Sequence, residues 1–157
     1  MTLDTSAVTE QRGSAAPSPG PSEGPSPALG RRLADAAAAF GTPLYAVDVA
    51  ALEGAAAAVE RAFPQPWTWQ YSLKANDLPA VAAVLAARGW GANVVSGGEW
   101  ASARAAGLSP DRVTLEGVGK TDADLVAAVE QAASGVPLRW VAVESADELV
   151  RLAELHR

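Results

Sequence analysis

The chain has 157 residues, 12 of them basic and 18 acidic, which leaves a formal net charge of −6 with its one histidine neutral. That balance excludes the basic face that nucleic acid or an anionic membrane requires, and the absence of cysteine excludes disulfides, thiolate metal sites and a cysteine nucleophile. No apolar run approaches the ~20 residues of a bilayer-spanning helix, and Met1 to Glu10 lack the basic-then-apolar order of a signal peptide, so a cytoplasmic protein with one core is expected.

Gly13 to Gly30 is mostly Pro, Ser, Gly and Ala, with Glu23 its single charge. Such a stretch has too little apolar mass to offset the entropy of ordering it, so residues 1–30 are expected to form a disordered tail. An Ala-rich helix over Arg31 to Phe40 is ended by Gly41-Thr42-Pro43. Leu44 to Val47 reads as a first short strand. Helix returns from about Val49 to Phe63, where Pro64 and Pro66 stop it. Trp67 to Lys74 is the second strand, and Pro79 opens a helix running to Arg88. Ala92 to Val95 is the third strand, followed by Ser96-Gly97-Gly98-Glu99 in the spacing of a capping box. Val113 to Leu115 is the fourth, with Thr121 and Asp124 as a similar cap. Trp140 to Val143 is the fifth, with Ser145 and Glu148 in the same spacing before an amphipathic helix, Ala146 to Arg157.

Strand and helix thus alternate in units of roughly 20 to 27 residues, the βα period of a parallel sheet. Parallel strands want cover on both faces, which leaves a doubly wound sheet or a (β/α) barrel. A complete barrel needs eight units in ~250 residues. About five can be counted after residue 41. The expected fold class is α/β, and if it is a barrel, residues 31–157 are the N-terminal part of one.

Trp67 to Lys74 alternates cleanly. Trp67, Trp69, Tyr71 and Leu73 point one way; Thr68, Gln70, Ser72 and Lys74 point the other. Four polar groups on one side of a buried parallel strand are unusual. Lys74 comes last, at the C-terminal end, where active sites of βα folds collect. It is either a strand-end lysine that snorkels its ammonium to water, or a desolvated lysine pushed toward the neutral amine that condenses with an aldehyde. Periodicity does not choose between them.

The local words do. Phe40-Gly41-Thr42-Pro43-Leu44-Tyr45, Tyr71-Ser72-Leu73-Lys74-Ala75-Asn76, Val94-Val95-Ser96-Gly97-Gly98-Glu99, Gly117-Val118-Gly119-Lys120-Thr121 and Val143-Glu144-Ser145 occur in this order. Together they closely resemble the N-terminal barrel half of the diaminopimelate decarboxylases, pyridoxal-phosphate enzymes of fold type III alongside the ornithine and arginine decarboxylases. The resemblance covers residues 31 to 157. It implies a partial (β/α)8 barrel of the alanine-racemase-like type and pyridoxal 5'-phosphate as cofactor, joined to Lys74. It further implies decarboxylation of an amino-acid substrate, meso-diaminopimelate to lysine in the parent enzyme, and a homodimer of the full-length protein.

Asn93 stands where the family usually has an aspartate, and it is a candidate cofactor-binding residue. A neutral amide there is expected to support a nearby cation less well than an anion would. Ser96 and Glu99 are explained by capping. The Gly117 to Thr121 run lacks the first glycine of a Walker A loop, since that position is Thr114, and reads as a βα turn. His156, near a helix C-terminus, reads as a cation beside the last carbonyls. The family's phosphate loop, its Glu-Pro-Gly-Arg-like segment, its substrate arginine and its β-domain have no counterpart, so activity of this chain alone is not expected. A non-catalytic pyridoxal-phosphate-binding protein and a decarboxylase-like interaction module are the alternatives.

Overall fold

A computed structural model describes residues 26–155. The expected tail over residues 1–25 and His156 lie outside the described residues. The chain divides into two units at Ala46.

The first unit contains helix α1 (Pro27–Phe40). It begins four residues earlier than composition implied. Ser26 Oγ accepts from Leu29 N at 3.3 Å, and Pro27 takes the first helical position, where its missing N–H leaves nothing unpaired. Residues 27–30 are therefore helix rather than tail. Leu44 to Val47, expected as a strand, belongs to no sheet, and Tyr45 is fully exposed. A strand exists through its ladder partners, and the four-stranded sheet begins only at Gln70.

The second unit runs from Val47. Helix α2 (Val49–Ala62) starts at Asp48, whose Oδ1 accepts from Ala50 N at 2.9 Å and Ala51 N at 3.3 Å. Strand β1 (Gln70–Ser72) is followed by a 3-10 turn, Leu73–Ala75, and then by α3 (Pro79–Ala87). Next come β2 (Gly91–Val94), α4 (Gly97–Ala105), β3 (Val113–Leu115), α5 (Asp122–Ala133), β4 (Trp140–Val141) and α6 (Ala146–Leu155). All neighbouring strands are parallel, in the order β1-β2-β3-β4. This sequential order, with a helix in every crossover, is the arrangement of successive βα units in a barrel wall. Four strands rather than five make it, and β1 has three residues rather than eight. Trp67 to Trp69 precede the strand, and pairing starts at Gln70↔Gly91.

Register sorts the two faces of the sheet. Tyr71, Ala92, Val94, Val113, Leu115 and Val141 share one face, where Leu73 from the following turn joins them, together with Trp100 and Ala103 of α4 and Ala128 of α5. Each fully buried Leu or Val here contributes about 1.5–3 kcal/mol relative to exposure. A smaller cluster of Ala56, Leu85 and Trp90 packs α2 against α3. It is closed by Glu60, which accepts from Arg88 Nε at 3.0 Å, Arg88 Nη2 at 2.6 Å and Trp90 Nε1 at 2.9 Å. The opposite face of the sheet is polar. Ser72, Asn93, Thr114 and Trp140 lie side by side across all four strands.

Candidate functional site

The polar face ends at a rim where the strands hand over to their helices. At β1 the hand-over is the 3-10 turn that carries Lys74. Leu73 anchors the turn in the core at 1% exposure. On the far side Tyr71 Oη donates to the Asn76 carbonyl at 3.2 Å, while Asn76 Oδ1 accepts from Leu78 N at 3.1 Å and starts α3. Burial pushes the Tyr71 phenol up from its ordinary value, so it stays a donor throughout the physiological range. Lys74 itself is exposed. It stands two residues past the end of β1 rather than as the strand's last residue, because the strand stops at Ser72, and it is exposed rather than desolvated.

The chain contains two lysines, and they differ sharply. Lys120 has no exposed side-chain surface, lies 3.1 Å from Glu148 Oε1, and donates to the Gly117 carbonyl. Lys74 is therefore the one lysine whose amine an incoming molecule reaches in the folded chain.

Asn93 is half-buried on β2, in the row with Ser72 and Thr114, and its Nδ2 donates to Glu116 Oε1 just beyond the end of β3. Glu116 carries no motif, and only its place two residues past Thr114, on the same face, marks it in the sequence. On this face, Gln70 Nε2, Ser72 Oγ and Thr114 Oγ1 are buried without a hydrogen-bond partner, and Thr114 is only 1% exposed. Buried polar atoms are expensive to leave unpaired, at about 1–3 kcal/mol each. A face with three of them is built to meet further polar groups. A polar cofactor with an aldehyde reachable from Lys74 fits this donor set.

The remaining rim residues shape the loops. Ser96 Oγ accepts from Glu99 N at 3.3 Å, and the Glu99 carboxylate reaches back to Val95 N at 3.0 Å. Ser145 and Glu148 repeat the pattern, with Glu148 N to Ser145 Oγ at 3.1 Å and Glu144 N to Glu148 Oε2 at 2.8 Å. Thr121 and Asp124 close a reciprocal box, the shorter Asp reaching only the cap residue itself. Further bonds tie successive βα turns of the second unit together. Asp124 Oδ1 accepts from Gly97 N at 2.7 Å, and Glu144 Oε1 accepts from Gly117 N at 2.7 Å. Gly117 has φ +96°, which suits glycine, and an added Cβ there would press on Val95 at 3.3 Å.

Electrostatics follow from these bonds. Burial acts to raise the Asp124 carboxyl, but the Thr121 N–H and hydroxyl and the Gly97 N–H outweigh it and leave the group below the usual carboxylate range. Glu148 behaves alike: burial raises it, while the Glu144 N–H and the Lys120 ammonium lower it further. Carboxylates and hydroxyls thus take some of the first-turn N–H groups of each helix: Gly97 and Glu99 at α4, Asp124 at α5 and Glu148 at α6.

A family model described as "Pyridoxal-dependent decarboxylase, pyridoxal binding domain" matches residues 49–157. A diaminopimelate decarboxylase of Aquifex aeolicus is 37% identical over 126 residues, covering 80% of this chain and 29% of that protein. One from Vibrio cholerae is 38% identical over 121 residues, covering 76% of this chain and 28% of that protein. The crystal structure of diaminopimelate decarboxylase from Helicobacter pylori, complexed with L-lysine, superposes with a TM-score of 0.67 at 28% identity, over 78% of this chain and 30% of that one. The chain thus spans about three-tenths of the length of these relatives.

Proposed function

The chain belongs to the pyridoxal-binding domain family of the pyridoxal-dependent decarboxylases, and on that premise we propose that Lys74 is the residue that joins the cofactor and that the whole protein decarboxylates an amino acid, meso-diaminopimelate. The observation that carries the reading is the contrast between the two lysines: one sealed in an ion pair, the other open at the rim of a polar sheet face. When bound, pyridoxal phosphate supplies an aldehyde for an amine and a ring that accepts the electron pair left as CO2 departs.

This chain's residues hold and prepare one wall of that site. Leu73 and the Tyr71–Asn76 bond hold the turn from which the Lys74 side chain departs, which supports a lysine carried on a preorganised backbone. An uncombined Lys74 amine would also be a group able to carry a proton in the reaction. Ser72, Asn93 and Thr114 form the polar surface behind it. An active homodimer in the cytoplasm belongs to the same proposal. So does the choice of diaminopimelate as substrate, which rests on the relatives.

The test is direct. The 157-residue chain is incubated with micromolar pyridoxal phosphate, reduced with borohydride, and its peptides are mapped by mass spectrometry. A saturable adduct on Lys74, lost in Lys74→Ala, with Lys120 unmodified, is the expected result; the α-amino group reports non-specific labelling. Labelling of Lys74 that only rises in proportion to reagent, as the α-amino group's does, or equal labelling of Lys120, overturns the assignment.

A further inference from the structure

Lys74 lies inside a loop that its own strand closes. Tyr71, the middle residue of β1, donates from its hydroxyl to the Asn76 carbonyl, five residues further on, at 3.2 Å. Ser72, the buried Leu73, Lys74 and Ala75 run between the two. The Asn76 side chain serves the following helix, its Oδ1 accepting from Leu78 N at 3.1 Å. Leu73 therefore anchors the turn before Lys74, and the Tyr71 hydroxyl anchors it after. Among the described residues, no side chain besides those of Tyr71 and Asn76 hydrogen-bonds to the backbone of residues 73–78.

The Tyr71 ring is itself held by the core. Register places it beside Ala92 on the apolar face of the sheet. There it packs both against the main cluster around Leu73 and Ala92 and against the smaller one of Ala56, Leu85 and Trp90. Packing alone asks only for a ring at this position, which phenylalanine would supply equally. What the hydroxyl adds is the bond to the turn. We propose that Tyr71 is a positioning residue for Lys74: its hydroxyl ties the backbone after the lysine to the core and so orders the turn from which the amine reaches its partner. A segment ordered beforehand avoids the ordering cost that a loose one meets on binding. The tie comes from the covered face of the sheet, so a residue that touches neither cofactor nor substrate sets how readily Lys74 combines.

The inference rests on Lys74 being the site lysine, and its test separates the two. The 157-residue chain and Tyr71→Phe are titrated with pyridoxal phosphate and reduced with borohydride, and the Lys74 adduct is quantified by mass spectrometry. Half-saturation is expected at about two- to tenfold higher concentration in Tyr71→Phe, the weight of one net hydrogen bond. Two further readouts need no cofactor. Hydrogen–deuterium exchange quickens in the peptide covering residues 73–78 and keeps the parental rate in α5, as local opening requires. Acetylation of Lys74 by acetic anhydride, which asks only for an exposed amine, also keeps the parental rate. Parental half-saturation in Tyr71→Phe overturns the role of Tyr71. So does a weaker adduct accompanied by equally faster exchange in α5, which marks a general loosening, or by an equal change in acetylation, which marks an altered amine. A parent chain without a saturable Lys74 adduct overturns the proposed function instead, while exchange in the turn still reports whether the hydroxyl holds it.

Discussion

Lys120 and Glu148 sit 3.1 Å apart with 0% and 4% of their side chains exposed, so each depends on the other for a counter-charge. Removing one partner of such a pair strands the second in a poor solvent, which costs about 3–5 kcal/mol. Lys120→Met is therefore expected to lower the unfolding free energy from urea titration by that amount, and Lys120→Met with Glu148→Leu to recover most of it, because neither charge is then buried alone. Equal midpoints for the single and double variants count against this account. Acid dependence resides in the same residues. Asp124 and Glu148 are both held below their ordinary carboxylate range, in each case by hydrogen bonds that outweigh burial. A group depressed on folding contributes stability that is complete above its unfolded value, near ~4 for a carboxyl, and is lost as pH falls through the folded one. Unfolding free energy should be level from neutrality down to about pH 5.5 and then decline. Asp124→Asn should make that decline shallower, read as the slope of urea stability against pH.

Elements were legible in the sequence where a local device creates them, and obscure where a distant partner does. Helix starts are local: Asp48, Pro79, Ser96, Thr121 and Ser145 each act within four residues, and α2 to α6 begin where these residues place them. Strand limits are not local. Trp67 to Lys74 alternates over eight residues, yet only Gln70 to Ser72 find a partner; Leu44 to Val47 finds none, and Trp140 to Val143 keeps two of four residues in the ladder. Lys74 could be placed at a strand end because its own alternation carries that information. Glu116 could not be connected with Asn93, which is 23 residues away, because interstrand register is not written in either strand alone. The link from Asp124 to Gly97, across 27 residues, escaped for the same reason. Strand approach also constrains Gly91, at the start of β2. A Cβ there would run into the Arg112 carbonyl, a backbone group with little freedom to move aside. Gly91→Ala is expected to cost about 2–3 kcal/mol through overpacking, measured as a loss of urea stability. Gly89→Ala, with nothing within 4 Å of its Cβ but a φ of +93°, should cost only about 1 kcal/mol from backbone strain.

At the scale of the whole molecule, the β1-β2-β3-β4 order leaves one long side of β1 and one of β4 without a ladder among the described residues. Parallel sheets are stable when both faces are covered and their edges are closed or shielded. Here one face is covered by α3, α4 and α5, while the other carries three unpaired polar atoms and ends at Trp140, which is 50% exposed. β4 joins the sheet through only Thr114↔Trp140 and Leu115↔Val141, so its free side is a short template of unpaired N–H and C=O groups next to a large indole. Edges of this kind recruit other edges, and a charge placed on one is a standard defence. Sedimentation of the 157-residue chain should therefore show a mean mass that climbs with concentration into the ~100 μM range, and Trp140→Lys should hold it closer to the monomer. The variant removes the Arg139–Trp140 contact, in which the guanidinium carbon lies 4.9 Å from the ring centroid, an exposed pairing worth only about 0.5–1 kcal/mol. A fall in association without a matching fall in urea stability then identifies the β4 edge as the adhesive surface. A parent chain that stays monomeric throughout would mean that the edge is already shielded by the chain itself.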